Sequence, residues 1–339
     1  MGMPFLRTPE HVNDYAVFGK LPHRADFVRV NATHPTVNEL DERLAAGLTV
    51  LAQNADWEQN YDSMPAVIYA CRDRGARNWM VGAWRASRDQ AGRRFPLVGG
   101  VLREVADIAA NAPLIPIAYE VFHDDLVVQI DNALDNSVEA LSCQQYLQGY
   151  SADFNVHAID FNLARAVLNQ FTDRTPATAL ERGSAFALSN ESLSQACLNI
   201  AFHADFLRRF PSDDNQPIVI HLPGEPGQSA LAAAAWLDLI DRLSGGPGRI
   251  AGMFFTHSSR LYVCLDSVAE KMMPLLLGNV FSDDDALNLS EEQEVWRSHR
   301  LYSETAYALS RLLANPAASV AELLKFASHV GGQLAVSRQ

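Results

Sequence analysis

The chain has 339 residues, of which 48% are hydrophobic, and its formal net charge at pH 7 is -13. The hydrophobic fraction is sufficient for one large domain or two smaller ones, whereas the acidic balance disfavours a nucleic-acid partner because a polyanion would be repelled. No stretch approaches the roughly 18 uncharged apolar residues that a membrane span needs, and residues 1–10 lack the apolar core of a signal peptide. We therefore expect a cytoplasmic protein that does not insert into a membrane.

The first predicted element is a short strand from Tyr15 to Phe18, which stops at Gly19 and turns at Pro22. The turn that follows is dense in charge around Phe27. Its charged and titratable side chains are His23, Arg24, Asp26 and Arg29. The sequence thus predicts a charged turn directly after the first strand.

A helix over residues 36–53 is predicted by its apolar stripe, which recurs at spacings of three and four. The stripe consists of Val37, Leu40, Leu44, Leu48 and Leu51. Strands are predicted next at residues 66–71, 79–84 and 95–102. The first third of the chain is therefore expected to place one long helix against several strands.

The region 72–94 is strongly basic, with seven arginines against two aspartates. Its last residues, Arg93 and Arg94, lead through Phe95 and Pro96 into the third of these strands. Because guanidinium groups pair bidentately with carboxylate and phosphate groups, the cluster fits a protein partner with an acidic or phosphorylated patch. We expect one basic face on an otherwise acidic body.

The rest of the chain alternates helices with strands in the same way, which indicates an α/β protein. Helices are predicted near residues 115–122, 137–147, 160–170, 192–210 and 229–243. Strands are predicted at residues 218–222, 250–255 and 261–265. The tail is predicted to be helical, with a break at Pro316. A helix before that break is predicted to start at Ser290, which caps it, and to hold Glu291 and Glu292 in its first turn.

The joins between these elements give no clear linker, and the best boundary is the polar stretch 172–182. We therefore divide the chain into an α/β N-terminal part at residues 1–175, an α/β continuation of the same sheet at 176–289 and a helical tail at 290–339. No periodic repeat is present, which excludes a solenoid.

The cysteines are scattered, without a CxxC pair, at positions Cys71, Cys143, Cys197 and Cys264. A disulfide framework or a zinc site would need a different spacing. We therefore expect buried reduced thiols and no bound metal.

The strongest enzyme hypothesis rests on IVIHLPGEPGQSALAAAAWL, residues 218–237. A strand, a loop from Gly224 to Ser229 and a helix form an arrangement whose backbone N–H groups can hold a phosphate, so a phosphate- or nucleotide-binding or hydrolytic enzyme is the alternative function. The loop lacks the lysine of a P-loop, and the chain has no GxSxG, HExxH or GxGxxG motif. A triad of His23, Asp26 and a distant serine or cysteine stays open, because triads are defined by geometry.

Two segments carry a family resemblance, FGKLPHRADFVRV at residues 18–30 and GRRFPLVGG at 92–100. They resemble the TagF (ImpM) family of type VI secretion-associated proteins, which typically read GKLPxxGDF after an aromatic residue and later contain an RxxPL-like arm. The matching signature residues are Gly19, Lys20, Leu21, Pro22, Asp26 and Phe27. Ala25 replaces the usual glycine, so we expect no positive φ at this position. The resemblance extends over residues 15–104, and residues 252–265 resemble the closing strands of the family.

The resemblance implies a three-layer α/β/α sandwich with a mixed sheet and a C-terminal helical extension. It also implies a non-enzymatic cytoplasmic accessory protein that regulates type VI secretion after translation, usually as a repressor. The implied partner is the forkhead-associated (FHA) scaffold protein, and the implied mechanism is sequestration. No cofactor is implied.

The candidate partner-binding surface combines the turn with the arginine arm, which we expect to lie close together. Its residues are Gly19, Lys20, Leu21, Pro22, Arg24, Asp26, Phe27, Arg93, Arg94, Phe95 and Pro96. The alternative interpretation is structural, with the apolar members forming turns and core and Asp26 forming a buried ion pair with Arg93 or Arg94. Both interpretations remain open from the sequence.

Overall fold

A computed structural model describes residues 14–72, 75–135, 140–153, 158–183, 190–212, 215–223, 227–256, 260–278 and 285–336. At the centre is a sheet whose order is β2-β1-β5-β4-β3-β7-β8-β6. The strands are β1 (Tyr15–Gly19), β2 (Val28–Val30), β3 (Val67–Cys71), β4 (Asn78–Arg85), β5 (Leu97–Glu104), β6 (Ile218–His221), β7 (Ile250–Thr256) and β8 (Arg260–Leu265).

All pairings among the described strands are antiparallel. The predicted mixed sheet is therefore wrong, although the general α/β class is confirmed. Short connections join β3 to β4 and β7 to β8. Strands joined by so short a connection pair antiparallel, because a parallel pair needs a long crossover connection. The alternation of helices and strands along the sequence is typical of parallel strand pairs. The structure differs, because β6, which follows the long helical connection after β5, pairs antiparallel with β8.

The helices pack around this sheet. Within the part of the chain that the structure describes, none of them combines the length and the hydrophobicity that a membrane span requires. They are α1 (Pro35–Leu51), α2 (Trp57–Asp62), α3 (Val105–Ile108), a 3-10 turn (Ala112–Leu114), α4 (Ile115–Ala118), α5 (Glu120–Asp135), α6 (Ala140–Asp153), α7 (Ala158–Arg174), α8 (Thr178–Gly183), α9 (Asn190–Arg209), α10 (Gln228–Leu243), α11 (Met272–Gly278), α12 (Glu294–Arg297), α13 (Tyr302–Leu313) and α14 (Val320–Val336).

Hydrophobic clusters lie on both faces of the sheet, because successive strand residues point to opposite sides. On one face, Phe18 and Trp84 belong to a buried cluster with residues of α1 and α11. On the other face, Trp79 and Leu97 belong to a cluster with residues of α5 and α10. Strands from both halves contribute to each cluster. Residues from both halves of the chain therefore form the core on each face of the sheet.

Helix α1 shows how local sequence sets an element. Pro35 is its first residue, and the backbone N–H of Thr36 donates to Nδ1 of His34, 3.2 Å away, which caps the helix. The predicted stripe is buried at Val37, Leu40, Leu44 and Leu51 and half-buried at Leu48. The helix predicted over 36–53 is thus confirmed.

The predicted helix capped by Ser290 is wrong, because α12 begins at Glu294. Oδ1 of Asn288 accepts hydrogen bonds from the backbone N–H of Ser290, at 3.0 Å, and of Glu291, at 3.1 Å. No helix begins at these bonded residues, so the Asn288 side chain organises a turn at this position.

The proposed boundary stretch 172–182 contains the end of α7 and the start of α8. Its backbone is hydrogen-bonded to residues at the start of α14. The N–H of Ala177 donates to the carbonyl of Ala318 at 2.8 Å, and the N–H of Val320 donates to the carbonyl of Thr175 at 2.9 Å. The three-part division of the chain stays a prediction.

All four cysteines are buried free thiols, as predicted. Burial raises the pKa of Cys143 and Cys197 to about 12 and that of Cys264 to about 11. A thiol reacts through its thiolate, so these three are inert at neutral pH.

Candidate functional site

The turn after β1 and the arm before β5 lie against each other, as predicted. The hydroxyl of Ser87 donates to the carbonyl of Lys20 at 2.6 Å, and the backbone N–H of Gln90 donates to the carbonyl of Arg24 at 3.0 Å. A guanidinium N–H of Arg93 donates to the carbonyl of Ala25 at 2.9 Å. The two segments are therefore joined by backbone and side-chain hydrogen bonds.

Asp89 organises this junction from inside, with a carboxylate that is inaccessible to solvent. It accepts from Nζ of Lys20 at 2.8 Å and from Nε of Arg93 at 2.7 Å. It also accepts from the backbone N–H of Arg93 at 2.9 Å and of Ala91 at 3.0 Å. The bond from Lys20, followed by those from Arg93, holds the pKa of the Asp89 carboxyl well below its usual range.

Asp89 was not among the candidate residues of the sequence. The signal that points to it is an aspartate within a run of arginines, since such a carboxylate is an obvious counterion. The lysine that it binds lies 69 residues away in sequence, and no local pattern predicts that contact.

The predicted ion pair of Asp26 with Arg93 or Arg94 is wrong. Asp26 is exposed on the turn, and Arg93 pairs with Asp89 instead. The turn therefore presents the Asp26 carboxylate to solvent. Asp26 is therefore available to a partner.

Arg94 joins the arm to α2. Its Nε donates to Asp62 at 2.9 Å, a second guanidinium nitrogen donates to the same carboxylate at 2.8 Å, and a third lies 3.0 Å from Glu58. The guanidinium also lies over the ring of Trp57, 5.5 Å from its centroid. The bonds to Arg94 lower the pKa of Asp62 and those to Asp62 raise the pKa of Arg94. Arg94 is thus satisfied within the chain.

Four candidate residues are buried and support the surface from below: Gly19, Leu21, Phe95 and Pro96. Half-buried Phe27 packs edge-to-face on Phe95, with ring centroids 5.0 Å apart. Gly19 has φ +131 and faces the carbonyl oxygen of Pro96. Ala25 has no positive φ, as expected. The four buried residues therefore shape the junction from within.

The exposed side chains on the joined segments define what we call the docking face, which consists of Arg24, Asp26, Arg88 and Arg93. Beside it, a surface groove of about 500 Å³ runs along residues 24–30. Neither Arg24 nor Arg88 forms a salt bridge with a described residue. This face carries an excess of cationic groups above a rigid, hydrogen-bonded base.

The predicted single basic face over residues 72–94 is divided in the structure. Arg85 pairs with Asp131 of α5 at 2.6 Å, while Arg72 lies over Trp79, 5.7 Å from its ring centroid. Arg74 lies outside the described residues. The arginines of this region therefore serve several separate contacts.

The sites of the enzyme hypothesis are described only in part. Residues 224–226 of the Gly224–Ser229 loop lie outside them, and Gly227, with φ +77, precedes α10 without a side-chain cap. No hydrogen bond joins His23 to Asp26 where the chain is described. The phosphate loop and the triad therefore stay predictions.

We expect Asp89→Asn to lower the melting temperature by about 5 °C, because a neutral amide cannot replace the buried counterion of Lys20 and Arg93. The matched change Asp26→Asn should shift it by less than about 1 °C, because that side chain is exposed. Thermal denaturation followed by circular dichroism measures both. Equal shifts in the two variants would contradict the assignment of Asp89 as the organising acid.

Comparison with known proteins gives one family match. Residues 16–150 match the family model described as the TagF N-terminal domain, type VI secretion system-associated. Among solved structures, the chain is similar to the crystal structure of PA0076 from Pseudomonas aeruginosa PAO1, at 17% sequence identity and a TM-score of 0.36, over 79% of this chain and 96% of that chain. A search among curated proteins gave no significant match.

Proposed function

We propose, from the match of residues 16–150 to the TagF N-terminal domain that the two motifs predict, that the chain is a non-enzymatic accessory protein that regulates type VI secretion after translation. It acts in the cytoplasm by binding the FHA scaffold protein, and as a repressor it sequesters that scaffold before assembly. The observation that carries the proposal is the docking face, which residues of the family signature support from below.

The charge of the docking face supports a protein ligand. Arg24 and Arg88 are exposed cations on a body with a formal net charge of -13, so they attract an acidic or phosphorylated patch where the rest of the surface repels it. Exposed Asp26 lies on the same turn and adds a group of opposite sign. Such a mixed pattern favours a specific partner over general anion binding.

The test is affinity capture with the full chain as bait in a lysate that contains the type VI secretion components. Arg24→Glu combined with Arg88→Glu reverses the two exposed cations that form no salt bridge with a described residue, and it leaves the Asp89 network intact. The expected result is a loss of scaffold recovery of at least about tenfold, since opposed charges at an interface are strongly unfavourable. Arg93 and Arg94 are left unchanged because both hold the fold.

The matched control reverses two exposed cations elsewhere, Arg311 on α13 and Lys325 on α14. This pair, Arg311→Glu with Lys325→Glu, should retain full recovery. Equal recovery by both double variants would place the partner on another surface. Failure of the unchanged chain to recover the scaffold would remove the FHA protein as its partner.

A further inference from the structure

The two edges of the described sheet, β6 and β2, differ in their exposure to solvent. At the β6 edge, residues 218–220 are buried, and the backbone N–H of Leu287 donates to the carbonyl of Pro217 at 3.0 Å. At the other edge, every residue of β2 is at least partly exposed. The groove of about 500 Å³ is lined by residues 24–30, which include all of β2. Strand β2 is therefore the open edge of the sheet.

The hydrogen bonds of β1 determine which way the backbone of β2 points. In an antiparallel pair, successive residues direct their N–H and C=O groups to opposite neighbours. The backbone N–H of Leu102 donates to the carbonyl of Asp14 at 2.6 Å, in register with the pairing of β1 and β5. Because the pattern alternates, Phe18 also bonds to β5, whereas Val17 and Gly19 direct their backbone groups toward β2.

The register of β1 and β2 then assigns the backbone direction of each β2 residue. Val17 lies opposite Val30. Gly19 lies opposite Val28, so both valines bond to β1. Arg29, between them, directs its N–H and C=O away from β1, to the side where no described strand lies. Such groups on a sheet edge are a template for another strand.

The side chains of this edge alternate in chemistry as well as in direction. Val28 and Val30 pack against the hydrophobic cluster on one face of the sheet, and Phe27 packs against the cluster on the other. Arg29 lies over the ring of Phe27, 5.1 Å from its centroid, and pairs with Asp41 of α1. Its side chain is still 48% exposed. A strand added here would complement this edge with a carboxylate between two β-branched residues.

A second copy of the chain fits this edge poorly. Antiparallel pairing of two copies about the centre of β2 would place their Arg29 side chains directly opposite each other, and like charges in that position are destabilising. The groove lining also holds Arg24, so its two arginines outnumber its one aspartate, Asp26. The edge therefore favours a different chain that supplies carboxylates.

We propose that the β2 edge binds an extended segment of a partner protein as an added strand, with a carboxylate opposite Arg29 and β-branched residues beside it. Hydrogen bonds to the main chain of Arg29 supply affinity, and the side chains at alternate positions supply specificity. The proposal deepens the proposed function and rests on its choice of a protein partner, because the groove and the docking face share Arg24 and Asp26.

The probe is a display library of random linear peptides, selected on the full chain. Enriched peptides should carry an acidic residue between β-branched or aromatic ones. Arg29→Pro removes the outward N–H and leaves both valines bonded to β1, since proline is tolerated on an edge strand where the N–H faces away from the sheet. Arg29→Ala is the matched control, because it loses the same side chain and keeps the N–H. By isothermal calorimetry with one enriched peptide, Arg29→Pro should bind at least about tenfold more weakly than Arg29→Ala.

Circular dichroism establishes whether both variants are folded, and hydrogen exchange of the unchanged chain gives a measurement that needs no variant. The amide of Arg29 should exchange freely in the free chain and at least about tenfold more slowly with the peptide bound, whereas the amides of Val28 and Val30 should be protected in both states. An Arg29 amide that is already protected in the free chain would overturn the proposal, because the edge would be occupied.

Three other results would overturn strand addition: no enrichment of peptides, equal affinity of the two Arg29 variants, or a dimer of the unchanged chain in sedimentation that Arg29→Pro loses. The proposed function fails separately. A chain that binds such a peptide but recovers no scaffold would remove only the FHA protein. Scaffold recovery that Arg24→Glu with Arg88→Glu abolishes, and that both Arg29 variants retain equally, would overturn only strand addition.

Discussion

Gly19→Ala is expected to destabilise the protein by more than about 4 kcal/mol, enough to abolish the cooperative unfolding transition or the soluble fold. A Cβ at this position would lie 2.0 Å from the carbonyl oxygen of Pro96 and 2.8 Å from Cα of Leu97. Both contacts are with backbone, so no side-chain rotation relieves them. β1 cannot move away either, because Phe18 pairs with Val98 of β5 next to the clash.

Gly92→Ala is the control that isolates backbone strain from this clash. Gly92 also has a positive φ, +81, but an added Cβ there would meet no heavy atom within 4 Å. We expect it to cost about 1–2 kcal/mol, the usual penalty for an L-residue in a left-handed conformation. Urea denaturation of both variants measures the difference. Similar losses in the two would show that conformation, and not the approach of the arm to β1, makes the signature glycine necessary.

The elements that the sequence predicts well are those that local pattern determines. Helix α1 follows from an apolar stripe, and β3, β4 and β5 follow from apolar runs between turns. Strand β2 is different, because three residues with an arginine at their centre carry no strand signal. It is a strand because Val30 pairs with Val17 of β1. Strand direction was likewise decided by long-range pairing, which is why the mixed sheet was a wrong prediction.

The candidate site shows the same division between local and long-range information. The two motifs predicted that the turn and the arm lie close together, and they contain the residues that form the base of this junction. It did not indicate which members are buried, because the burial of Phe95 and Leu21 depends on the packing of the whole sheet. The acid that joins the segments is Asp89 and not Asp26, since its contact with Lys20 depends on how two distant loops fold.

Lowering the pH from 7.5 to 5 is expected to reduce the free energy of unfolding by about 2–3 kcal/mol. Two buried histidines cause most of the loss. Burial lowers the pKa of His123 to about 3 and, with the nearby charge of Arg249, that of His203 to about 4. Between pH 6.5 and these pKa values, the two histidines are protonated in the unfolded chain and neutral in the folded chain. Their contribution to the free energy of unfolding is therefore fully present above pH 6.5 and is lost progressively below it. Each histidine contributes about 2 kcal/mol of loss at pH 5.

Asp241 opposes this trend. Burial, followed by the charge of Asp238, raises its pKa to about 6, so its folded form gains a proton on acidification and offsets about 1 kcal/mol of the loss at pH 5. Asp89 acts in another window, because its lowered pKa preserves its contribution until the pH falls below about 4.

The measurement is urea denaturation at pH 7.5, 6.5, 5.5 and 5.0 of the unchanged chain and of His123→Phe, combined with His203→Leu. Phenylalanine suits position 123 because Tyr119 and Phe122 already surround that ring. The double variant should lose most of the destabilisation below pH 6.5. A smaller part remains from His34 and His299, whose pKa burial also lowers, and Asp241 opposes it. His329→Gln, at an exposed position of α14, should follow the unchanged chain. A double variant that loses stability with acid as steeply as the unchanged chain would mean that other groups carry the effect.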